Sequence, residues 1–485
     1  MKILSIRVIK MKKMTIVGAG VSGLTAGIYS LLKGYNVTIY EKNKFGGGCS
    51  TGWFRDGYYI DNCMHWLTGT NQKTKGFKEW KKIGAIDETS NLYQGEFFYR
   101  SIMNNESISL YTDIEKAKDE MLKLSPQDHK EINIFINTVK YLVKYYQSNP
   151  LFNKHLNMVK GFLHYRHLNL KDLSNKFKHP LLKRLFIDFF PKEYSSLSLI
   201  VAYATFVSGN GKVLSTGSMN FSKNIIKRFT DLGGKIEYES EVTKINVTDK
   251  SVTSIVINNN LEVKVDNIIY AGDVMNLQNN LLKDSSLSLT DPIFKDLSND
   301  DFVKTMSSFH VAFLVDKEVD SIFDTTIFDI NNITIGTKNI NRLVVKNYSY
   351  LYPNKKQIVY QTFTPQLKED YIYWDNLKKN NPKKYQEEKN ELSKKLQDEI
   401  IKAYPTLKNH IKILDCWTPL TYHDFYNTLY GSYMGIILSK DTLFKHYSLR
   451  IKNINNLIIA SYWNKIMGGL PVALRVGKEA SRYFK

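Results

Sequence analysis

The chain of 485 residues is 43% hydrophobic and carries a formal net charge of +20. That hydrophobic content excludes a disordered chain, and the length accommodates two domains with cores of their own. A membrane span is excluded because no run approaches the roughly eighteen apolar residues that such a helix needs, and a disulfide scaffold because there are only three cysteines, Cys49, Cys63 and Cys416.

Those cysteines also lack the paired spacing of a structural zinc site, so no metal is expected, and a reducing cytoplasm is the expected compartment. A surface this basic attracts phosphate groups, which leaves two readings. The lysines are either abundant and evenly spread, or they seat the protein peripherally on the anionic inner face of a membrane. Nucleic acid is not an expected partner.

In chain order, MKILSIRVIK is basic and apolar but lacks the sustained apolar core and cleavage site of a signal peptide, so it reads as a short leader before a start at Met11 or Met14. Residues 14–17 are an apolar strand running into Gly18-x-Gly20-x-x-Gly23, after which LTAGIYSLLKG has helical spacing and ends at Gly34. Strand, glycine turn and helix together form a seat for a pyrophosphate. Gly18 permits the tight turn, Gly20 leaves room for the phosphates, and Gly23 lets the helix pack close to the strand. The helix-start amides then face the phosphate charge. A second strand, residues 36–40, ends at Glu41, eighteen residues past Gly23, where a carboxylate accepts hydrogen bonds from a ribose. A carboxylate there argues against a 2′-phosphate, which leaves FAD or NAD.

A second glycine cluster, KFGGGCST at 44–51, follows within a few residues, and NAD folds have no standard need for it. Here GAGVSGLTAG, followed by YEKNKFGGGCSTGWFRDGYYIDNCMHWLTG, resembles the N-terminal FAD fingerprint of the phytoene desaturase, carotenoid isomerase and retinol saturase group of amine oxidase-type flavoproteins. The resemblance implies that Gly47 and Gly48 lie along the FAD, with Val21, Ser22, Lys42 and Cys49 beside them. It also implies an aromatic hairpin and a turn in which Gly57, Asp61 and His65 fall on family positions. Cys63 stands where that group usually has glycine. LSTGSMNFSKNIIKRFTDLGGKIEYESEVTKI resembles the passage back to the cofactor domain: a helix around 225–232, a Gly233-Gly234 turn, and a strand ending at Val242 and Ile245, with Val242 against the adenine. The next strand, 266–273, carries Gly272. At the C-terminus NLIIASYWNKIMGGLPVALRVGKEASRYF resembles the closing FAD motif. There Gly468, Gly469, Leu470, Pro471 and Val472 approach the flavin, Pro471 at the first helical position. Ser461 and Val472 depart from the smaller residues usual there.

The implied fold is α/β: a Rossmann-like FAD-binding domain of residues 11–75, 215–290 and 450–485, with an inserted α+β substrate-binding domain of residues 76–214 and 291–449. The first insert turns helical after Ser125-Pro126, with Ile132, Phe135, Ile136, Val139, Leu142 and Val143 on one face. Residues 140–177 interleave aromatics with cations, which suits either the domain's own core or a membrane interface. The second insert offers strands at SSFHVAFLVD and LVVKNYSYLY and a charged helical stretch around 377–403, and in CWTPLTYHDFYNTLYGSYMGI the pattern Thr418-Pro419-x-Thr421-Tyr422, then Tyr426, Gly431 and Gly435, resembles that group's segment near the flavin and the substrate tunnel, with an ordinary aromatic hairpin as the alternative.

A flavin accepts a hydride at N5, so the protein must place a substrate C–H bond over that atom. His65, Tyr422 and His423 are the candidates for proton handling or substrate positioning, His65 and Tyr422 foremost. His164 and His167 share a helical face but lack a third metal ligand. Cys49 and Cys63 read as buried thiols ahead of a redox pair. The sequence therefore points to an FAD-dependent oxidoreductase acting on an apolar polyene, isoprenoid or acyl substrate by desaturation, isomerisation or saturation. A flavin amine oxidase on the same fold, and a non-catalytic membrane-associated flavoprotein or lipid carrier, are the alternatives.

Overall fold

Short runs of apolar residues build a five-stranded parallel sheet in the order Lys235–Glu237, Asn36–Tyr40, Lys13–Val17, Ile268–Tyr270, Leu457–Ile459. The structure, a computed structural model, describes residues 12–147, 156–283, 290–299, 304–317, 319, 322, 324–353, 355–439, 441–443 and 445–484. The expected leader over 1–10 lies outside the described residues, as does the 148–155 portion of the aromatic and cationic stretch. Because Val17 is in register with Tyr40 and Tyr270, and Tyr270 with Ile459, the strands end level with one another. The turns that follow, at Gly18, Glu41, Ala271 and Ala460, therefore emerge along one edge, where open parallel sheets bind their ligands.

The Val21–Leu31 helix packs against the sheet, and the C-terminal helix Gly469–Ala480 packs against it in turn. Gly23 and Gly477 are what make that stack possible. A Cβ on Gly23 would lie 2.0 Å from the Gly18 carbonyl oxygen, and one on Gly477 would lie 2.3 Å from the Ser22 oxygen. Glu79 ties the same corner together by accepting from the Tyr29 hydroxyl at 2.5 Å and from Lys478 at 2.6 Å.

The strands of the two inserts pair into one seven-stranded sheet ordered Ile411–Trp417, Ser307–Val315, Ile358–Gln366, Lys338–Asn347, Thr325–Ile335, Phe97–Met103, Glu106–Tyr111. Among the described residues its one parallel pairing joins Phe97–Met103 to Thr325–Ile335, which is the seam between the first insert and the second. Helices His129–Gln147, Pro180–Ile187 and Ser196–Val207 bury Ile132, Phe135, Ile136, Val139, Leu185 and Tyr203 in a shared core. A separate three-stranded antiparallel sheet, Val242–Thr248, Ser251–Ile257 and Leu261–Lys264, flanks the parallel one.

Several expectations are corrected. The strand expected to end at Val242 and Ile245 is two strands in two sheets, because the chain turns at Glu239, which adopts a positive φ of 51°. The charged stretch is two helices, Lys368–Asn380 and Pro382–Ala403, broken where Pro382 has no amide hydrogen to continue the first. The aromatic hairpin after Cys416 is a helix, Pro419–Tyr426: Thr418 Oγ1 accepts from the Leu420 amide at 3.3 Å, and Pro419 occupies the first turn. His164 and His167 do not share a helical face, since the helix ends at Tyr165 and His164 turns to Glu131 at 3.4 Å. Pro471 is the third residue of its helix, not the first. The hairpin over GWFRDGYYID forms as expected, Gly52–Arg55 pairing with Tyr58–Asp61.

Candidate functional site

A cavity of about 530 Å³ opens along the carboxyl ends of the parallel strands and runs into the space between the Ser196–Val207 helix and the seven-stranded sheet. At the sheet end its wall is bare backbone from Gly18, Gly20, Gly48, Gly272, Gly468 and Gly469. Gly20 and Gly47 form an isolated parallel bridge, and the Gly47 amide donates to the Ala19 oxygen at 2.8 Å, so the two glycine loops lie side by side. A Cβ on Gly20 would meet nothing closer than Gly48 Cα at 3.9 Å. The missing side chain therefore leaves a cradle that an elongated phosphate-bearing molecule fits, and the residues present suit FAD.

Glu41 sits at the strand tip with its carboxylate buried. One oxygen accepts from the Ala19 amide at 2.8 Å and the other from the Asn43 amide at 2.9 Å and side chain at 3.0 Å. These three bonds fix the carboxylate facing the glycine turn. Lys42 reaches across to Asn427 Oδ1 at 2.7 Å and the Asp424 carbonyl at 3.0 Å, and burial pulls its ammonium below the usual lysine range. On the opposite wall Asp273 accepts from the Leu429 amide at 2.9 Å and from Trp463 Nε1 at 2.8 Å, and burial raises its carboxyl above the usual range.

Of the cofactor residues expected from sequence, Gly18, Gly20, Val21, Ser22, Glu41, Lys42, Gly47, Gly48, Cys49, Val242, Gly272, Gly468, Gly469, Leu470, Pro471 and Val472 all line this one cavity. Two do not. Gly23 is a packing residue under the helix, and Ser461 is turned away: its hydroxyl accepts from the Trp463 amide at 3.5 Å while Asn464 Oδ1 accepts from its own amide at 3.0 Å. Ser461 thus caps the turn Tyr462–Asn464 and acts on the cavity only through the backbone it holds.

Both expected chemical residues, His65 and Tyr422, line the cavity; His423 does not, and its Nδ1 lies 3.0 Å from the Thr428 carbonyl. The Tyr422 hydroxyl donates to Asn62 Oδ1 at 3.0 Å, accepts from Trp417 Nε1 at 3.1 Å, and lies 3.3 Å from His310 Nε2. Burial keeps this phenol protonated, pulls His310 down to about 3 and holds His65 well below the usual imidazole range, so both rings are neutral at pH 7. Neither imidazole therefore supplies a proton as an ordinary acid there. The turn carrying His65 is pinned from beneath. The Asp61 carboxylate accepts from the amides of Cys63 at 3.0 Å, Met64 at 3.2 Å and Ser218 at 2.6 Å, while Lys346 donates to the Met64 and His65 carbonyls at 3.3 and 3.2 Å. Burial of Lys346 pulls its ammonium down to about 8.

His310 and Asn62 were not legible as site residues. His310 did leave a signal, as the lone imidazole inside the apolar run SSFHVAFLV. Asn62 left none, because what makes it matter is Tyr422, 360 positions away. Beyond Trp66 the cavity is lined by Tyr146, Val201 and Ala202 from helices and by Phe190 and Tyr194 from the loop before Ser196, none of them legible in the sequence as a tunnel wall. Cys49 and Cys63 both line the cavity as free thiols, and burial pushes the Cys49 thiol up to about 12. Among the described residues no group of three or more His, Cys, Asp or Glu is arranged to hold a metal.

A nucleotide seat at the switch edge of a parallel sheet, continuous with an apolar tunnel, defines a flavoprotein oxidoreductase. Residues 21–405 match the family model described as flavin containing amine oxidoreductase. The chain belongs to that family and is an FAD-dependent oxidoreductase. It is 22% identical to a 4,4'-diapophytoene desaturase (4,4'-diaponeurosporene-forming) of Staphylococcus haemolyticus over 96% of each chain. It is 24% identical to a chloroplastic prolycopene isomerase 1 of an Oncidium hybrid cultivar, over 86% of this chain and 74% of that one. Among solved structures, an oxidoreductase from Methanosarcina mazei superposes with a TM-score of 0.62 at 14% identity, covering 96% of this chain and 98% of that one. Putrescine oxidase bound to putrescine superposes with a TM-score of 0.58 at 12% identity, covering 97% and 98%.

Proposed function

We propose that the protein acts on a long apolar polyene, isoprenoid or acyl chain, with dehydrogenation as the first choice and isomerisation or saturation of a double bond as the other outcomes. The observation that carries this is the tunnel wall beyond Trp66, built from aromatic and aliphatic side chains of the first insert. The desaturase and isomerase similarities over most of the chain support the same reading. An amine oxidase would favour a lysine facing the flavin, whereas the buried Lys346 is absent from the cavity lining and spends its donors on the carbonyls of Met64 and His65.

In this reading the segments 11–75, 215–290 and 450–485 hold the cofactor, and 76–214 and 291–449 shape the substrate site. Gly18, Gly20 and the start of the Val21–Leu31 helix hold the pyrophosphate, Glu41 the ribose, the backbone near Val242 the adenine, and Gly468 to Val472 the flavin end. Bound FAD supplies hydride acceptance at its N5. The chain orients the substrate with aromatic walls, excludes water from the reacting C–H bond, and keeps His65 and His310 neutral beside it.

The expected result is a purified protein with a flavin absorbance band that bleaches anaerobically on mixing with a conjugated or precursor polyene and not with aliphatic amines. Bleaching by amines alone would replace this reading with amine oxidation, and bleaching by neither class would leave a carrier.

We also infer a peripheral seat on anionic lipid. Tyr145 and Leu163 expose large apolar surface on neighbouring helices, and Tyr145 adjoins Tyr146, which lines the tunnel. Among the described residues no helix is long and apolar enough to cross a membrane. Cosedimentation with phosphatidylglycerol vesicles at low salt, reduced by high salt and absent with phosphatidylcholine, is the expected pattern. Equal pelleting with neither lipid discards the seat.

A further inference from the structure

The tunnel is apolar, yet at the flavin end it carries a polar group that a bare hydrocarbon would leave unsatisfied. That group is the Asn62 side chain. Its orientation follows from the atoms around Tyr422. The phenol has one proton and two acceptor positions. The 3.0 Å bond to Asn62 Oδ1 uses the proton and the 3.1 Å bond from Trp417 Nε1 uses one acceptor position; His310 Nε2 lies 3.3 Å away and fills the other in the tautomer that carries its hydrogen on Nε2. His310 is stacked on Trp417 with ring centroids 4.6 Å apart, and its buried Nδ1 has no partner, as expected of the ring nitrogen that bears no hydrogen. In that tautomer, which leaves no buried ring N–H of His310 unpaired, Tyr422 engages Oδ1 and the Asn62 amide turns its NH₂ outward.

Asn62 lines the cavity, and among the described residues its NH₂ has no bonded partner and is not sealed in the packing. His65 shows the same pattern three residues on: Nδ1 is buried without a partner, whereas Nε2 is open to the cavity that His65 lines. The turn bearing both residues is immobilised by Asp61 below, by Gln361 Nε2 donating to the Asp61 carbonyl at 3.0 Å, and by Lys346. A donor held this rigidly strengthens the binding of an acceptor and rejects a ligand that lacks one, because that ligand buries the N–H unpaired.

We propose that Asn62, locked by the Trp417–Tyr422–His310 relay and flanked by His65, is a specificity-determining residue that receives an oxygen of the substrate, so that the substrate is an oxygen-bearing isoprenoid or acyl chain, an alcohol, carbonyl compound or carboxylate, with that oxygen at the flavin end. This rests on the apolar-chain reading above and narrows it. Asn62 is a positioning residue and takes no part in bond breaking.

The test uses the flavin-loaded protein and two probes of equal length, geranylgeraniol and the hydrocarbon in which hydrogen replaces its hydroxyl group, each titrated against the flavin absorbance spectrum. Wild type is expected to bind the alcohol at least tenfold more tightly than the hydrocarbon. Asn62→Leu is expected to abolish that preference while its unliganded flavin spectrum stays that of wild type. Tyr422→Phe keeps the amide but frees its rotation, and is expected to reduce the preference severalfold. Asn62→Ala, which also removes the donor, serves the same purpose if the leucine variant does not fold. Equal affinity for the two probes in wild type overturns the inference and leaves the apolar-chain reading intact. A shifted spectrum in unliganded Asn62→Leu overturns it by placing the amide on the flavin. Absence of any response to either probe overturns both.

Discussion

Gly20→Ala is expected to leave the protein folded without cofactor at wild-type stability and to reduce FAD affinity at least tenfold, or about 1.4 kcal/mol. Gly20 has an ordinary φ of −69°, and an added Cβ would meet only Gly48 Cα at 3.9 Å, so the fold has no objection to alanine. What the methyl group fills is the cavity floor, where a pyrophosphate must approach the backbone. Gly23→Ala is the contrasting case. Its Cβ would lie 2.0 Å from the Gly18 carbonyl oxygen and 3.1 Å from Ala271 Cβ, although Gly23 touches no part of the cavity. The helix must move off the strand, which destabilises the protein by roughly 1–3 kcal/mol and loses FAD as a consequence. Thermal melts with and without added FAD separate the two variants. Gly20→Ala keeps the wild-type melting temperature without FAD and loses the upward shift on adding it; Gly23→Ala melts lower in both. Wild-type flavin content in Gly20→Ala would remove the phosphate from that glycine.

Arg342→Ala is expected to be the most destabilising single truncation outside the cofactor region, at about 3–5 kcal/mol. The guanidinium is 7% exposed and Asp188 is 2% exposed. Arg342 donates to Asp188 at 2.5 and 3.1 Å, to Ser101 Oγ at 2.7 Å, to the Ile102 carbonyl at 2.5 Å and to Asp329 at 2.8 Å. One side chain thereby joins the Lys338–Asn347, Phe97–Met103 and Thr325–Ile335 strands to the end of the Pro180–Ile187 helix, across the seam between the two inserts. Removing it strands Asp188, whose carboxyl burial already raises above its ordinary range. Denaturant unfolding should show the loss in Arg342→Ala and recover most of it in Arg342→Met with Asp188→Leu, since two apolar groups leave no buried charge unpaired. A loss below about 1 kcal/mol would reduce the cluster to an ordinary surface pair.

The cofactor end was legible because its signals are local. GAGVSG and MGGLPVALRVG each run a bare-backbone turn into a helix, KFGGGCST is a bare-backbone loop between two strands, and each lands on the cavity. The errors there are instructive. Ser461 was assigned to FAD by its position in the motif, but a serine with a free hydroxyl caps the turn that follows it. The hairpin expected around Thr418-Pro419 failed because an N-cap threonine before proline starts a helix wherever tertiary packing gives that helix a place. On the substrate side the aromatics of residues 140–207 fit a core as well as a tunnel, because a buried aromatic has the same sequence signature whether its other face meets protein or ligand.

By itself the amino-acid sequence determined the glycine cradle and the acid at the tip of the neighbouring strand, since these depend on which backbone can turn tightly and what lies one strand away, and the resemblance of its motifs pointed to FAD. Only the tertiary structure decided what the tunnel presents to a substrate. Asn62, His310, Trp417 and Tyr422 come from three separate stretches of chain, and their hydrogen bonds follow from how the 61–65 turn meets the seven-stranded sheet. Local propensity shapes each piece, but which side chains meet around the Tyr422 hydroxyl is set by contacts between segments more than a hundred residues apart.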